Sequence, residues 1–160
     1  MTIQVGDKIP SVNLLTMTVD GRQTISTDEL FKGKKVVLFA VPGAFTPTCS
    51  EQHLPGFITY ADEIKARGVN TIAGIAVNDV FVMDAWGKSQ NVGDKIMMLA
   101  DGDGEFTKAL GLELDLRGKG LGVRSQRYAM IVEDGIVKSL QIDPPKTFAI
   151  SKAEAVLERL

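Results

Sequence analysis

Cys49 is the one cysteine in this chain of 160 residues, and its neighbours are those of a reactive thiol. Thr46 is a suitable N-cap, and Pro47 suits the first position of a helix. Thr48 with Glu51 offers an alternative capping box. Either arrangement places Cys49 in a first helical turn, where backbone N–H groups and the helix dipole stabilise an anion. The pattern predicts a nucleophilic thiolate, with an inert buried cysteine as the alternative.

A helix terminus alone is too weak to ionise this thiol. Lowering the pKa of a cysteine from about 8.5 to about 6 requires roughly 3.4 kcal/mol of stabilisation. A helix dipole contributes about 0.3–1 kcal/mol, and at most about 2 kcal/mol, so a neighbouring cation must help. Complete ionisation would accelerate attack only about thirtyfold, so the site must also polarise its substrate. Backbone N–H groups, the Thr46 hydroxyl and a guanidinium could together bind both oxygens of a peroxide.

The elements that must position Cys49 alternate between strands and helices. The apolar run Val36–Val41, ended by Pro42 and Gly43, is typical of a strand that is covered on both faces. After this strand, the sequence predicts helices near 47–67, 80–88 and 106–110, which alternate with strands near 71–77 and 97–100. This alternation indicates a parallel sheet with right-handed crossovers.

Antiparallel hairpins are predicted near both ends of the chain. Each has two short apolar stretches joined at an Asp-Gly pair, which is a strong signal for a tight turn. The first hairpin joins 12–19 to 22–25, and the second joins 128–132 to 136–142. Ser151 and Glu154 match a capping box, which predicts a C-terminal helix ending near Leu160. We therefore expect one α/β domain over residues 1–160 with a thioredoxin-like fold: a mixed central sheet flanked by helices, with an N-terminal β-hairpin extension.

Composition limits the kinds of partner. Hydrophobic residues make up 44% of the chain and charged residues 24%, which is ordinary for a globular protein. A net charge of −2 gives no general attraction to nucleic acid or to anionic membranes. The sequence shows neither a signal peptide nor an apolar window of transmembrane length. A lone thiol is best preserved in a reducing compartment, so we expect a cytoplasmic location.

The residues around Cys49 resemble the peroxiredoxin signature Pro-x-x-x-Thr-x-x-Cys, which Pro42, Thr46 and Cys49 meet. The longer stretch at 42–57, Pro-Gly-Ala-Phe-Thr-Pro-Thr-Cys-Ser-x-x-His-Leu-Pro-Gly-Phe, is similar to the peroxiredoxin-five type in particular. The similarity continues over nearly the whole chain, at Asp79, Trp86, 106–112 and 127–132.

The resemblance implies a role for each of four residues. Cys49 would be the peroxidatic nucleophile, oxidised to a sulfenic acid by hydrogen peroxide or an alkyl hydroperoxide. Thr46 would bind and orient the peroxide, and Pro42 would shield the sulfur from bulk water. Arg127 would lower the thiol pKa and contact the substrate. It would thus supply the cation that is needed in addition to the helix dipole.

The chain departs from the two-cysteine members of this type, because no cysteine follows Cys49. The resemblance then implies a one-cysteine cycle in which an external donor, glutathione with glutaredoxin or thioredoxin, regenerates the thiol. It also implies a homodimer formed through the face that bears the active site. We expect no metal and no other cofactor.

Other interpretations use the same residues differently. A peroxide-sensing relay or binding protein would pass oxidation of Cys49 to a partner. A cysteine hydrolase would use His53 as its base, but His53 lies four residues after Cys49 on one predicted helix, which favours structural support instead. The basic, glycine-rich segment 117–127 is expected to be a mobile loop beside the site, and Pro55 is expected to kink the helix.

Overall fold

The predicted central strand lies in the interior of a mixed sheet of seven strands within residues 2–160. A computed structural model describes these residues, with Cys49 described by its backbone alone. Its elements are β1 (Asn13–Thr18), β2 (Gly21–Ser26), α1 (Thr27–Phe31), β3 (Lys35–Ala40), a π-helix (Cys49–His53), α2 (Leu54–Thr59), α3 (Ala61–Ala66), β4 (Thr71–Ala76), α4 (Val80–Ser89), β5 (Met97–Ala100), α5 (Glu105–Leu110), β6 (Glu113–Leu116), β7 (Gly122–Ser125), β8 (Arg127–Glu133), β9 (Ile136–Asp143) and α6 (Ala153–Leu157).

The strands follow the order β2-β1-β5-β4-β3-β8-β9. Strands β3, β4 and β5 are parallel, as the alternation with helices predicted, whereas β8 and β9 join the other side of β3 as an antiparallel hairpin. The hairpin of β1 and β2 extends the sheet beyond β5, with Leu15 opposite Ala100. The thioredoxin-like α/β fold with an N-terminal hairpin extension is confirmed.

Strand β3 is covered on both faces, which explains its continuous apolar sequence. The side chains of residues 36–41 are 0% exposed. One face packs against α2, α3, α4 and α6, and the other packs against α1 and α5. Full burial of a large apolar side chain stabilises a fold by about 1.5–3 kcal/mol, so two packed faces fix the strand firmly. Strand β3 is thus a rigid base for the loop that follows it.

The predicted helix at 47–67 is interrupted rather than continuous. It starts helically at Pro47, widens into the π-helix, continues as α2 and breaks at Tyr60 before α3. Pro55 has no N–H, so the carbonyl of Glu51 cannot receive the usual α-helical hydrogen bond. The distortion expected from Pro55 is present as a widened turn that directly precedes it. None of the described helices is long and apolar enough to cross a membrane.

Two predictions about local structure are wrong. The segment 117–127 is not a loop throughout: its first residues form the turn of an antiparallel hairpin and residues 122–125 are strand β7, with Glu113 opposite Ser125. Glycines with positive φ at 118, 120 and 122 allow its tight turn. Ser151 does not cap α6: the N-cap is Lys152, and the Ser151 hydroxyl bonds Asp143 instead.

Helix α1 was not predicted, although the sequence carries a signal for it. Ser26 and Glu29 have the spacing of a capping box: Ser26 Oγ caps the helix by accepting a hydrogen bond from Glu29 N at 3.1 Å, and it donates one to Glu29 Oε1 at 3.2 Å. The helix has only five residues, too few for a periodic apolar pattern.

Candidate active site

The loop after β3 carries two predicted site residues, Pro42 and Thr46, and the third, Cys49, is the first residue of the π-helix that follows. Helical structure starts directly after Thr46, as predicted. Thr46 Oγ1 donates a hydrogen bond to Gly43 O at 2.7 Å, which closes the loop. Because this bond uses the hydroxyl proton, the lone pairs of Thr46 Oγ1 remain to accept hydrogen bonds. The side chain of Cys49, and with it the predicted position of the sulfur, lies outside the described residues.

A guanidinium from β7 braces the same loop. Arg124 Nη1 donates to Pro42 O at 3.4 Å, and Arg124 Nε donates to Leu121 O at 2.7 Å. A Cβ atom at Gly43 would lie 2.9 Å from Arg124 Nη1, so glycine permits this close approach. Sequence reasoning missed Arg124, because it treated 117–127 as a loop; the basic character of that segment was the available signal.

Helix α4 fixes the turn that contains Cys49. Trp86 Nε1 donates to Ser50 Oγ at 2.9 Å, and Gln90 Nε2 donates to Ser50 O at 3.1 Å. Trp86 is buried and packs in the core, and its indole N–H also anchors the residue that follows Cys49. A buried indole normally finds such a partner, and this bond ties the π-helix to α4.

Arg127 lies beside this loop because of the register of the sheet. It is the first residue of β8, and its neighbour Tyr128 pairs with Ala40 at the end of β3. Arg127, Pro42 and Thr48 line one cavity of about 280 Å³. The fold therefore brings the predicted arginine to the loop that carries Pro42 and Thr46.

His53 holds Arg127 in place. His53 Nδ1 accepts a hydrogen bond from Arg127 Nη1 at 2.8 Å, and His53 Nε2 donates to Ser151 O at 3.0 Å. This assignment follows from chemistry, since a guanidinium only donates and a carbonyl only accepts. Burial and then the charge of Arg127 lower the pKa of His53 to about 3, with smaller opposing effects of Ser151 and Asp143. A neutral imidazole with both nitrogens occupied is not a general base, so the hydrolase interpretation loses its basis.

The buried neutral His53 makes stability depend on pH. Its pKa is about 3 in the folded protein but 6.5 for an unperturbed histidine, so below pH 6.5 the unfolded chain binds the proton more readily. The free energy of unfolding should therefore fall as the pH drops from 6.5 towards 3, by up to about 1.4 kcal/mol per pH unit from this group. Urea denaturation at pH 6, 5 and 4 measures this slope. In His53→Gln the extra slope should vanish; an unchanged slope would contradict the assignment.

Aromatic rings enclose the His53–Arg127 pair. The ring centroids of Phe39, Phe57 and Phe148 lie 5.1, 5.5 and 5.1 Å from that of His53. The Phe148 centroid is also 5.7 Å from Arg127 Cζ, a cation–π distance. Phe148 and Ser151 come from the segment after β9, and sequence reasoning assigned neither to the site. Only tertiary packing brings them there.

Comparisons with known proteins agree with this geometry. The sequence matches the family model described as Redoxin over residues 4–157. It is 50% identical over 163 residues to "Peroxiredoxin-2E, chloroplastic" of Arabidopsis thaliana, covering 99% of this chain and 70% of that protein. The structure of reduced Prx3 in complex with H2O2 from Vibrio vulnificus is 55% identical, with a TM-score of 0.96 and 99% of each chain covered. Peroxiredoxin 5 from Alvinella pompejana is 41% identical, with a TM-score of 0.86 over 98% of this chain and 96% of that one. The chain therefore belongs to the peroxiredoxin family of thiol-dependent peroxidases.

Proposed function

We propose that Cys49 is the peroxidatic residue and that it reduces hydrogen peroxide and alkyl hydroperoxides. The thiolate attacks one peroxide oxygen, forming an S–O bond while the O–O bond breaks. The departing oxygen takes the proton released when the thiol ionised, and it leaves as water or an alcohol. Sulfur gives up two electrons, which the peroxide gains, so the product is a sulfenic acid. The observation that carries this proposal is the position of Arg127 beside the loop that leads to Cys49. A hydrogen bond of 2.8 Å from Arg127 Nη1 to His53 Nδ1 holds the guanidinium there.

Thr46 and Arg127 complement the two ends of a peroxide. The lone pairs of Thr46 Oγ1 accept the peroxide O–H, since its own proton is bonded to Gly43 O. A guanidinium has five N–H donors, so Arg127 also has the capacity to donate to the oxygen on which charge develops. Pro42 lines the same cavity and, as an apolar ring without an N–H, excludes water from the sulfur.

The cavity beside Arg127 suits the organic part of an alkyl hydroperoxide. Its volume is about 280 Å³, and Leu114, Leu116 and Phe148 contribute apolar lining next to Pro42 and Arg127. Sites of this size and character bind small molecules through apolar contacts, with a few polar groups that fix their orientation. Substrates larger than hydrogen peroxide are therefore within the proposed range.

The regenerating thiol comes from another molecule, because the chain has one cysteine. A peroxide substrate and a thiol donor are the partners of this enzyme class. We propose glutathione with glutaredoxin, or thioredoxin, as the donor, and a reducing cytoplasm as the location. We also propose that residues 1–160 act as one domain.

The same chain is proposed to form a homodimer through the face around the active site. Phe45 follows the loop residue Ala44, is 54% exposed and has a φ of 63°, and Phe81 is 61% exposed. Ala44 N donates to Asn78 Oδ1 at 2.9 Å, which ties the loop of Phe45 to the start of α4, where Phe81 lies. Exposed phenylalanines favour burial at a contact between proteins, and this pair supports that face as the contact.

Stopped-flow oxidation tests the proposed function. On mixing with one equivalent of hydrogen peroxide, the thiol of Cys49 should be lost stoichiometrically and several orders of magnitude faster than free cysteine. Cys49→Ser should consume no peroxide. Oxidation at the speed of free cysteine would overturn the proposal.

Steady-state turnover separates the donors. Reduced glutathione with glutaredoxin, and thioredoxin with its reductase, are each supplied in excess with hydrogen peroxide. A donor that sustains many turnovers is a physiological candidate. A single oxidation followed by a stall with both donors would instead support the peroxide-sensing relay.

A further inference from the structure

Asp143 ends β9 as a buried carboxylate with a dense set of partners. It accepts hydrogen bonds from Ala149 N at 3.1 Å, Ile150 N at 3.0 Å, Ser151 N at 3.0 Å and Ser151 Oγ at 2.6 Å. Burial raises the pKa of Asp143, but the bonds from Ser151, Ile150 and Ala149 outweigh it, so the pKa lies below its usual value. The carboxylate is therefore charged at neutral pH and organises the chain that follows it.

The segment 144–151 depends on this carboxylate for its path. Its residues are mostly exposed and form neither helix nor strand, and Lys146 has a positive φ of 66°. The four hydrogen bonds to Asp143 turn the segment back towards β8. The return brings Phe148 to Arg127 and brings the carbonyl of Ser151 to His53.

Asp143, Ser151, His53 and Arg127 form a directed chain of hydrogen bonds. Ser151 N donates to Asp143 Oδ2, and Ser151 O accepts from His53 Nε2. That second bond puts the imidazole proton on Nε2, so Nδ1 is left to accept from Arg127 Nη1. Asp143 is also the partner of Arg127 in the register of β8 and β9, so both ends of the chain lie on paired strands.

We propose that Asp143 is a positioning residue for peroxide reduction. It touches no reacting atom; it places Ser151 and Phe148, which set the tautomer of His53 and the orientation of the Arg127 guanidinium. This inference rests on the proposed role of Arg127 at Cys49. A misplacement of about 1 Å can cost up to ~100-fold in rate, so a device that fixes the guanidinium affects the chemistry directly.

Asp143→Asn tests the inference, with Asp101→Asn as the matched control. Asp101 is also buried and accepts from Phe106 N at 3.1 Å, Thr107 N at 2.9 Å and Thr107 Oγ1 at 2.7 Å, but these bonds serve α5. In both variants an amide N–H₂ replaces a carboxylate oxygen that accepts hydrogen bonds, so donors are left facing donors and both proteins should lose similar stability. Asp143→Asn should lower the rate constant of Cys49 oxidation about tenfold and raise the thiol pKa. Asp101→Asn, measured where it is folded, should leave both unchanged.

The pH dependence of Cys49 alkylation by iodoacetamide measures the thiol pKa, and ¹⁵N NMR of His53 reports the tautomer. Asp143→Asn should reduce the population of the Nε2–H form, and Asp143→Glu should restore it in part. If Asp143→Asn is unfolded, Ser151→Ala removes one bond of the carboxylate and should give a smaller change in the same direction. A wild-type rate, thiol pKa and tautomer in Asp143→Asn, or in Ser151→Ala if only that variant folds, would overturn the inference. Slow oxidation of Cys49 in the wild-type protein would instead overturn the proposed function. The two failures can be told apart because the NMR measurement of the His53 tautomer does not involve peroxide.

Discussion

Arg127→Met should slow the oxidation of Cys49 by hydrogen peroxide about 10²- to 10³-fold at pH 7, the cost typical of losing one preorganised donor to a developing charge. Methionine keeps much of the length and apolar contact of arginine but has no charge and no donor. Part of the loss should come from ionisation, because removing a neighbouring cation raises the pKa of a thiol and lowers its thiolate fraction. The remainder reports the contact with the substrate. Stopped-flow rates, divided by the thiolate fraction from alkylation, separate the two contributions.

Arg117→Met is the matched control for this variant. Arg117 is exposed in the β6–β7 hairpin and pairs with Asp115 at 2.7 Å, so its loss should leave both the rate and the thiol pKa unchanged. Arg127→Met also deprives His53 Nδ1 of its donor, so thermal denaturation must show that the variant is folded at the assay temperature. A rate that falls only in proportion to the thiolate fraction would contradict the substrate-polarising role of Arg127.

Thr46→Val should slow peroxide attack about 100-fold while changing the thiol pKa little. The substitution keeps the shape of the side chain but removes the acceptor for the peroxide and the donor to Gly43 O. The matched control is Thr16→Val, since Thr16 Oγ1 also donates to a carbonyl, Met98 O, at 2.8 Å in another part of the sheet. Stopped-flow rates compare the two.

Thr46→Ser distinguishes the hydroxyl from the methyl group of Thr46. If the hydroxyl binds peroxide, serine should recover most of the wild-type rate. A serine variant as slow as the valine variant would show that packing of the methyl group matters instead, and the proposed substrate contact would be wrong.

The fold could be predicted where the local pattern has one physical cause. Val36–Val41 reads as a central strand because burial on both faces demands apolar side chains at every position. The hairpin of β6 and β7 was missed because the glycines that permit its turn resemble those of a loop. The capping box predicted at Ser151 and Glu154 is absent because the Asp143 carboxylate accepts the hydrogen bond of the Ser151 hydroxyl, and the local spacing cannot show that competition.

The residues of the candidate site also differ in how far they could be predicted from the local sequence. Pro42, Thr46 and Cys49 lie within eight residues of each other, so a local motif could reveal them. Arg127 could be predicted only from the family resemblance, since it is the pairing of β8 with β3 that brings it near the loop of Pro42 and Thr46. Phe148 acts through a ring contact and Ser151 through its backbone carbonyl, and neither kind of contact leaves a pattern along the chain.

The identity of the group that holds Arg127 has an electrostatic consequence. Where Arg117 meets Asp115, hydrogen bonds from the guanidinium lower the pKa of the carboxyl to about 2, and the two opposite charges cancel within one pair. His53 instead anchors Arg127 through an uncharged lone pair. An uncharged anchor does not itself offset the positive charge of the guanidinium, and the proposed role of Arg127 beside a Cys49 thiolate requires that charge.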